Sequence, residues 1–214
     1  MSSKIRRATR SDADFLAWVM LASSRSHVSR GAWDLIIGAD DAGCLEYLKR
    51  LAIGEPRSLC HHESFMVAEV DGRPAAALCT FKPGEGGWAV VGQVKSNVER
   101  ELGWTEADQA ASQLRFAPMM GCFLPDAGED WCIEFVATLP EYRRQGLVDA
   151  LVREAIQQGI ERGCSLAQIL ILAGNDAAQA AYEKAGFVVH DQRGSPEFEA
   201  AVGAPGFRRL MRRL

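Results

Sequence analysis

The sequence predicts a layered domain of the α/β or α+β class, with a sheet covered by helices. Three observations carry that prediction. Two strand-like runs, Ser64–Val70 and Pro74–Phe81, flank Asp71-Gly72. That pair reads as an antiparallel hairpin turn, because glycine supplies positive φ without steric cost. After Trp131 the pattern runs strand, helix, strand, helix, strand. Near the N-terminus, apolar residues recur at helical spacing. At 214 residues, 48% hydrophobic and 24% charged, the chain can bury one sizeable core, or one core with an inserted segment.

Taken in order, Lys4–Ala8 reads as a short strand. Ser11 and Asp14 have capping-box spacing, ahead of a helix carried by Phe15, Leu16, Val19 and Met20. A second amphipathic helix spans about Asp41 to Ala52 through Leu45, Leu48 and Leu51. The hairpin follows, with Pro74 at a strand start or edge. "KPGEGG" then breaks the chain, and residues 82–130 form a mixed segment. Within it, Thr105 is an N-cap with Asp108 facing back, for a helix reaching about Arg115. Trp131–Leu139 is a buried strand, and Gly146 to Arg162 a helix with Val148, Leu151, Val152, Ala155, Ile156 and Gly159 on one face. Leu166–Leu172 is a second buried strand. Asn175 caps a short helix that Gly186 ends, and Phe187–Val189 begins another strand.

Composition excludes several functions. A net charge of −4 provides no global field for nucleic acid. No run approaches the ~18 apolar residues of a membrane span, and the polar N-terminus lacks a signal-peptide core. The expectation is a cytoplasmic protein. The six cysteines match no zinc spacing. "CHHE" at Cys60–Glu63 offers ligand types, but adjacent residues converge poorly on one ion. A solvated loop and no metal site are expected there.

The stretch "PEYRRQGLVDAL", Pro140–Leu151, sends a strand straight into a helix through Arg143, Arg144, Gln145 and Gly146. The first helical turn has unpaired N–H groups, and its dipole favours negative charge. Gly146 lets a ligand approach the backbone. The turn reads either as a phosphate site or as a helix start with solvated arginines. It is neither a Walker loop nor a Rossmann fingerprint.

"VATLPEYRRQGLVDALV" followed by "NDAAQAAYEKAGF" resembles the GCN5-related N-acetyltransferase (GNAT) superfamily, most strongly over about Trp131 to Val189. The resemblance implies an α+β fold with a central mixed, mostly antiparallel twisted sheet flanked by helices. It implies one domain over residues 1–214, with the segment at about 82–130 as an insertion. It also implies acetyl-CoA as co-substrate and an amine acceptor. By resemblance the pyrophosphate lies on the N–H groups from Arg144 through Leu147 to Asp149, with Arg143 beside it. Asn175 and Ala178, at the start of the later helix, face the cofactor. Position 148 is Val where the family has Gly or Ala. Its side chain either pushes the phosphates outward or packs into the core with its N–H still available. The family closes its sheet with a C-terminal strand, so a strand is expected in "GFRRLMRRL", against the helical spacing of Phe207, Leu210, Met211 and Leu214.

Direct attack of an amine on a thioester needs a base, a carbonyl donor and an acid for the leaving thiolate. Glu134 is the candidate base. Period two puts it on one face with Cys132, Val136 and Thr138. The alternative is a structural Glu paired with an arginine. Backbone N–H groups near Val136, Ala137 and Thr138 are, by resemblance, the carbonyl and pantetheine donors. Tyr182 is, by resemblance, the acid; otherwise it is a core tyrosine. A non-catalytic acyl-CoA sensor on the same fold is the competing function. In the inserted segment, "FAPMMGCF" (Phe116–Phe123) is too apolar for a free loop. It is expected to line the acceptor side of the site, cover a sheet edge or join two copies in a homodimer.

Overall fold

A computed structural model describes residues 3–124 and 130–214; the end of the expected insertion, at 125–129, lies outside the described residues. Its elements are β1 (Ser3–Arg7), α1 (Ala13–Arg25), α2 (Ala32–Ile37), α3 (Asp41–Ile53), β2 (Phe65–Val70), β3 (Arg73–Phe81), α4 (Trp88–Glu101), α5 (Glu106–Met120), β4 (Trp131–Thr138), α6 (Leu147–Glu161), β5 (Leu166–Leu172), α7 (Asp176–Lys184), β6 (Val188–Arg193), α8 (Pro196–Val202) and β7 (Phe207–Arg213). The strands form one sheet in the order β1-β2-β3-β4-β5-β7-β6. Only β4 and β5 pair in parallel; the other neighbours are antiparallel.

Alternation along β2 shows why the sheet carries two layers. Phe65 and Val67 enter the core beneath α1 and α3, with Leu16, Met20, Tyr47 and Leu48. Met66 and Ala68 enter the opposite core beneath α6, with Leu151, Val152 and Ala155. A third cluster joins α2, α5, α8 and β7 through Leu35, Met119, Phe198 and Phe207. Asp71 and Gly72 both have positive φ, 49° and 79°, as a two-residue hairpin turn demands.

Two local expectations need correction. The first capping pair is Thr9 and Asp12, not Ser11 and Asp14. Asp12 is buried, accepts from the Thr9 N–H at 2.7 Å, and takes both Arg6 donors at 2.7 and 2.8 Å. Burial alone would raise the Asp12 carboxyl, but the hydrogen bonds from Arg6 and Thr9 hold it below its ordinary range. The loop at Cys60–Glu63 is solvated only at its end, where Glu63 is exposed. Leu59, Cys60 and His61 are buried, and a 3₁₀ turn at His62–Ser64 folds the segment inward. That turn also brings ligand-type atoms of His61, His62 and Glu63 within 4.8 Å of one another, so these neighbours do converge. Burial, then the nearby His62, lowers the His61 pKa.

The C-terminal segment is a strand, paired with β5 from Leu166↔Arg213 to Leu172↔Phe207. Arg208 and Arg209 are engaged with β6: Arg208 donates to Gln192 at 2.9 Å, and Arg209 pairs with Asp191 at 2.5 Å. Among the described residues no helix is long and apolar enough to cross a membrane.

Candidate active site

The site begins where the sheet opens. β4 pairs with β5 only from Trp131 to Ile133, opposite Ala167 to Ile169. Phe135 then takes φ 52°, and the β3–β4 register shifts between Ala77 and Cys79. This bulge turns the strand and leaves the β5-facing backbone of residues 136–138 without a ladder partner. It also corrects the expected face pattern. Phe135 and Ala137 join Cys132 on the α1 side, whereas Val136 packs with Trp131 and Ile133 on the α6 side. The bulge resets the alternation after Glu134, so Val136 no longer follows from Cys132 by period two.

A cleft of about 1000 Å³ runs through this split. One arm reaches the start of α6. There Arg144 and Gly146 have φ 60° and 76°, and no side chain caps the helix. A Cβ at Gly146 would meet nothing within 4 Å, so the space in front of its backbone is open. The first-turn N–H groups of Leu147, Val148 and Asp149 have no carbonyl four residues back within the helix. Among the described residues neither Arg143 nor Arg144 forms an ion pair, and Arg143 lines the cleft. Asp149 is neutralised by Lys184 of α7 at 2.5 Å, which removes an anion from the turn. This arrangement fits a pyrophosphate.

Nine of the sequence-selected residues line the cleft: Glu134, Val136, Ala137, Thr138, Arg143, Val148, Asn175, Ala178 and Tyr182. Arg144, Gln145, Gly146 and Leu147 lie between Arg143 and Val148, and Asp149 follows Val148; none of the five lines the cleft. Leu147 is buried, so only its backbone can serve a ligand. Val148 is half-buried: it packs against the α6 core and also lines the cleft.

Tyr182 is 5% exposed, with its ring edge-on to Phe187 at 6.4 Å. Burial, and next the charge of Glu134, raise its phenol well above the ordinary value. It is therefore a neutral donor throughout the working range. Glu134 is half-buried, opposite Cys79 in the sheet register. Thr138 has a buried Oγ1 with no hydrogen-bond partner among the described residues, a polar atom available to a ligand. Asn175 caps α7 by accepting from the Ala178 N–H at 3.1 Å, and its amide donates to Ser26 Oγ at 2.6 Å. Its capping role thus holds, and its second valence ties α7 to the end of α1.

The other arm was less legible. It is walled by α1, α2, α4 and α5, with Trp18, Trp33, Trp88 and Phe116 among its residues. Met119 and Met120 line the same cleft as Glu134 and Tyr182, Met119 buried and Met120 exposed. The signal for α4 was present in Trp88, Val91, Gly92 and Lys95, spaced i, i+3, i+4, i+7. The polar floor, Gln168 and Arg209, carried no sequence signal. It joins strands through Arg209 Nη1 to Gln168 Oε1 at 3.3 Å and Gln168 Nε2 to Cys132 Sγ at 2.9 Å.

The chain matches the family model described as the acetyltransferase (GNAT) family over residues 40–187. No curated protein sequence matches it. Among solved structures it is similar to an acetyltransferase at 13% identity and TM-score 0.70, over 98% of each chain. It is similar to an N-acetyltransferase from Staphylococcus aureus Mu50 at 16% identity and TM-score 0.64, over 97% of this chain and 99% of that one. A polyamine N-acetyltransferase from Drosophila melanogaster aligns over 100% of each chain at 12% identity and TM-score 0.55. At these identities the likeness is one of fold.

Proposed function

The chain belongs to the acetyltransferase (GNAT) family, and from that premise we propose that it transfers an acyl group, acetyl by preference, from acyl-CoA to a primary amine by direct attack. The observation that carries this reading is the continuity of one cleft from the Arg143–Gly146 turn, past Glu134 and Tyr182, into an apolar second arm. The α6 turn holds the pyrophosphate through backbone N–H groups, which do not depend on the side chain at 148. The open edge of β4 at residues 136–138 supplies donors for the thioester carbonyl and the pantetheine amides.

Glu134 takes a proton from the incoming ammonium, directly or through water. The amine nitrogen forms the new C–N bond as the C–S bond breaks. Tyr182 Oη gives its proton to the departing sulfur, and the second proton released by the acylated nitrogen restores the phenol through water. No side-chain nucleophile is needed, in keeping with cysteines that are all buried.

Free-thiol release from acetyl-CoA, followed with a panel of primary amines and without amine, tests the proposal. Amine-dependent release, one thiol per amide formed, is expected. Tight CoA binding with no release for any amine would favour a non-catalytic acyl-CoA sensor instead.

A further inference from the structure

The second arm of the cleft is specific in its chemistry. Phe135, next to Glu134 in the bulge, lies 6.3 Å from Trp33 and 6.1 Å from Trp88, and Trp33 and Trp88 lie 6.3 Å apart. Three aromatic rings therefore meet beside the group that takes the proton. Among the described residues lining the cleft, Glu134 is the only carboxylate, whereas Lys95, Arg143 and Arg209 are cations. Lys95 is tied to Glu99, which does not line the cleft, and lies 6.0 Å from the Trp104 ring centre. A second ammonium on the acceptor would thus lose water beside a like charge, with no second carboxylate among the described lining residues to receive it.

Gly92 adds an independent observation. It sits inside α4, one turn from both Trp88 and Lys95, on the wall of the cleft. A Cβ there would meet nothing within 4 Å, and its φ is not in the left-handed region. Neither packing nor backbone conformation requires glycine, and glycine weakens a helix interior. What its missing side chain does is keep the arm wide beside Trp88.

Resting on the acyl-transfer reading above, we infer that the acceptor is a primary monoamine with an uncharged apolar body, flat or aliphatic, seated against the Trp33–Trp88–Phe135 rings, and that Gly92 sets the width available to it. Di- and polyamines are disfavoured, because among the described residues lining the cleft no second carboxylate receives a second ammonium.

The test compares kcat/KM for phenethylamine and hexylamine with putrescine, spermidine and agmatine in the thiol-release assay. The monoamines should lead by about 100-fold, the scale set by stranding one charge without a partner. Gly92→Phe should raise KM for phenethylamine at least about tenfold, with KM for acetyl-CoA unchanged and the melting temperature equal or higher. Gly92→Asp should shift preference toward putrescine. Quenching of tryptophan fluorescence in the CoA complex reads amine binding without turnover, and phenethylamine should bind more tightly than putrescine. Equal or better use or binding of putrescine or spermidine would overturn the inference and leave acetyl transfer standing. So would a Gly92→Phe enzyme with unaltered KM for phenethylamine. Failure of every amine of either class to release thiol, together with no CoA binding, would instead strike the acyl-transfer reading itself.

Discussion

In the proposed mechanism Tyr182 has to stay protonated while sitting close enough to Glu134 to feel its charge. Burial and that charge both raise the phenol, so ionisation of Tyr182 limits activity nowhere below about pH 10, the ordinary tyrosine value. Tyr182→Phe keeps the ring against Phe187 and removes only the hydroxyl. It should slow acyl transfer by roughly 10- to 1000-fold, the size of losing one general acid, with CoA affinity nearly intact. Steady-state turnover beside calorimetric CoA binding checks this; wild-type turnover would make water the proton donor. Glu134→Gln should behave differently with pH. The variant depends on amine already neutral in solution, a fraction that grows tenfold per pH unit below the amine pKa of about 10. Its deficit relative to wild type should therefore be largest at low pH and shrink as pH rises. A pH–rate profile with the same fractional loss at every pH would make Glu134 a positioning or structural residue.

At the scale of elements, the strand–turn–helix from β4 to α6 is the working unit, and Phe135 is its pivot. A non-glycine residue at φ 52° is uncommon, most of all for a bulky side chain, and persists because its surroundings hold it. Stacking on Phe65 at 6.1 Å and contacts with Trp33 and Trp88 supply that hold. Phe135→Ala should cost about 3 kcal/mol, the low end for a core aromatic because one side faces the cleft; urea unfolding measures it, and a loss below about 1 kcal/mol would mean the rings do not hold the bulge. The apolar run Trp131–Leu139 made β4 easy to read, but nothing in its letters marked the bulge. No Gly, Asn or Asp announced the positive φ, so period two assigned Val136 to the wrong face. Conversely, Asp71-Gly72, the Thr105–Asp108 box and the Asn175 cap were legible because turn and cap chemistry is local. The helix α2 has six residues, too few to display a period. In α4, Gly92 and its valines obscured a pattern that tertiary packing then enforced.

For the molecule as a whole, the segment between β3 and β4 is a wall of the site and part of the fold. Ser112 donates to Ile36 O at 2.6 Å, and Arg115 donates to the carbonyls of Leu35, Ile36 and Ile37 at 3.0, 3.3 and 3.2 Å. These bonds take up orphan carbonyls at the end of α2, while Met119 and Phe116 join α8 and β7 in the third core cluster. The arm proposed for the acceptor is thus assembled from residues near 33, 88, 119 and 135, a juxtaposition set by long-range packing that sequence reading could not reach. The arm proposed for the cofactor, by contrast, draws on residues within two short segments, which is why sequence reading could nominate them. Its placement underlies the whole account, so the most direct test is calorimetric titration of CoA into wild type, Gly146→Ala and Gly146→Trp. Alanine shares the strain of φ 76° but leaves most of the open space, whereas tryptophan fills it. The account predicts one CoA per chain for wild type, a modest loss for Gly146→Ala, and at least a tenfold loss, about 1.4 kcal/mol, for Gly146→Trp with its fold intact. Unchanged CoA affinity in a folded Gly146→Trp protein would contradict it.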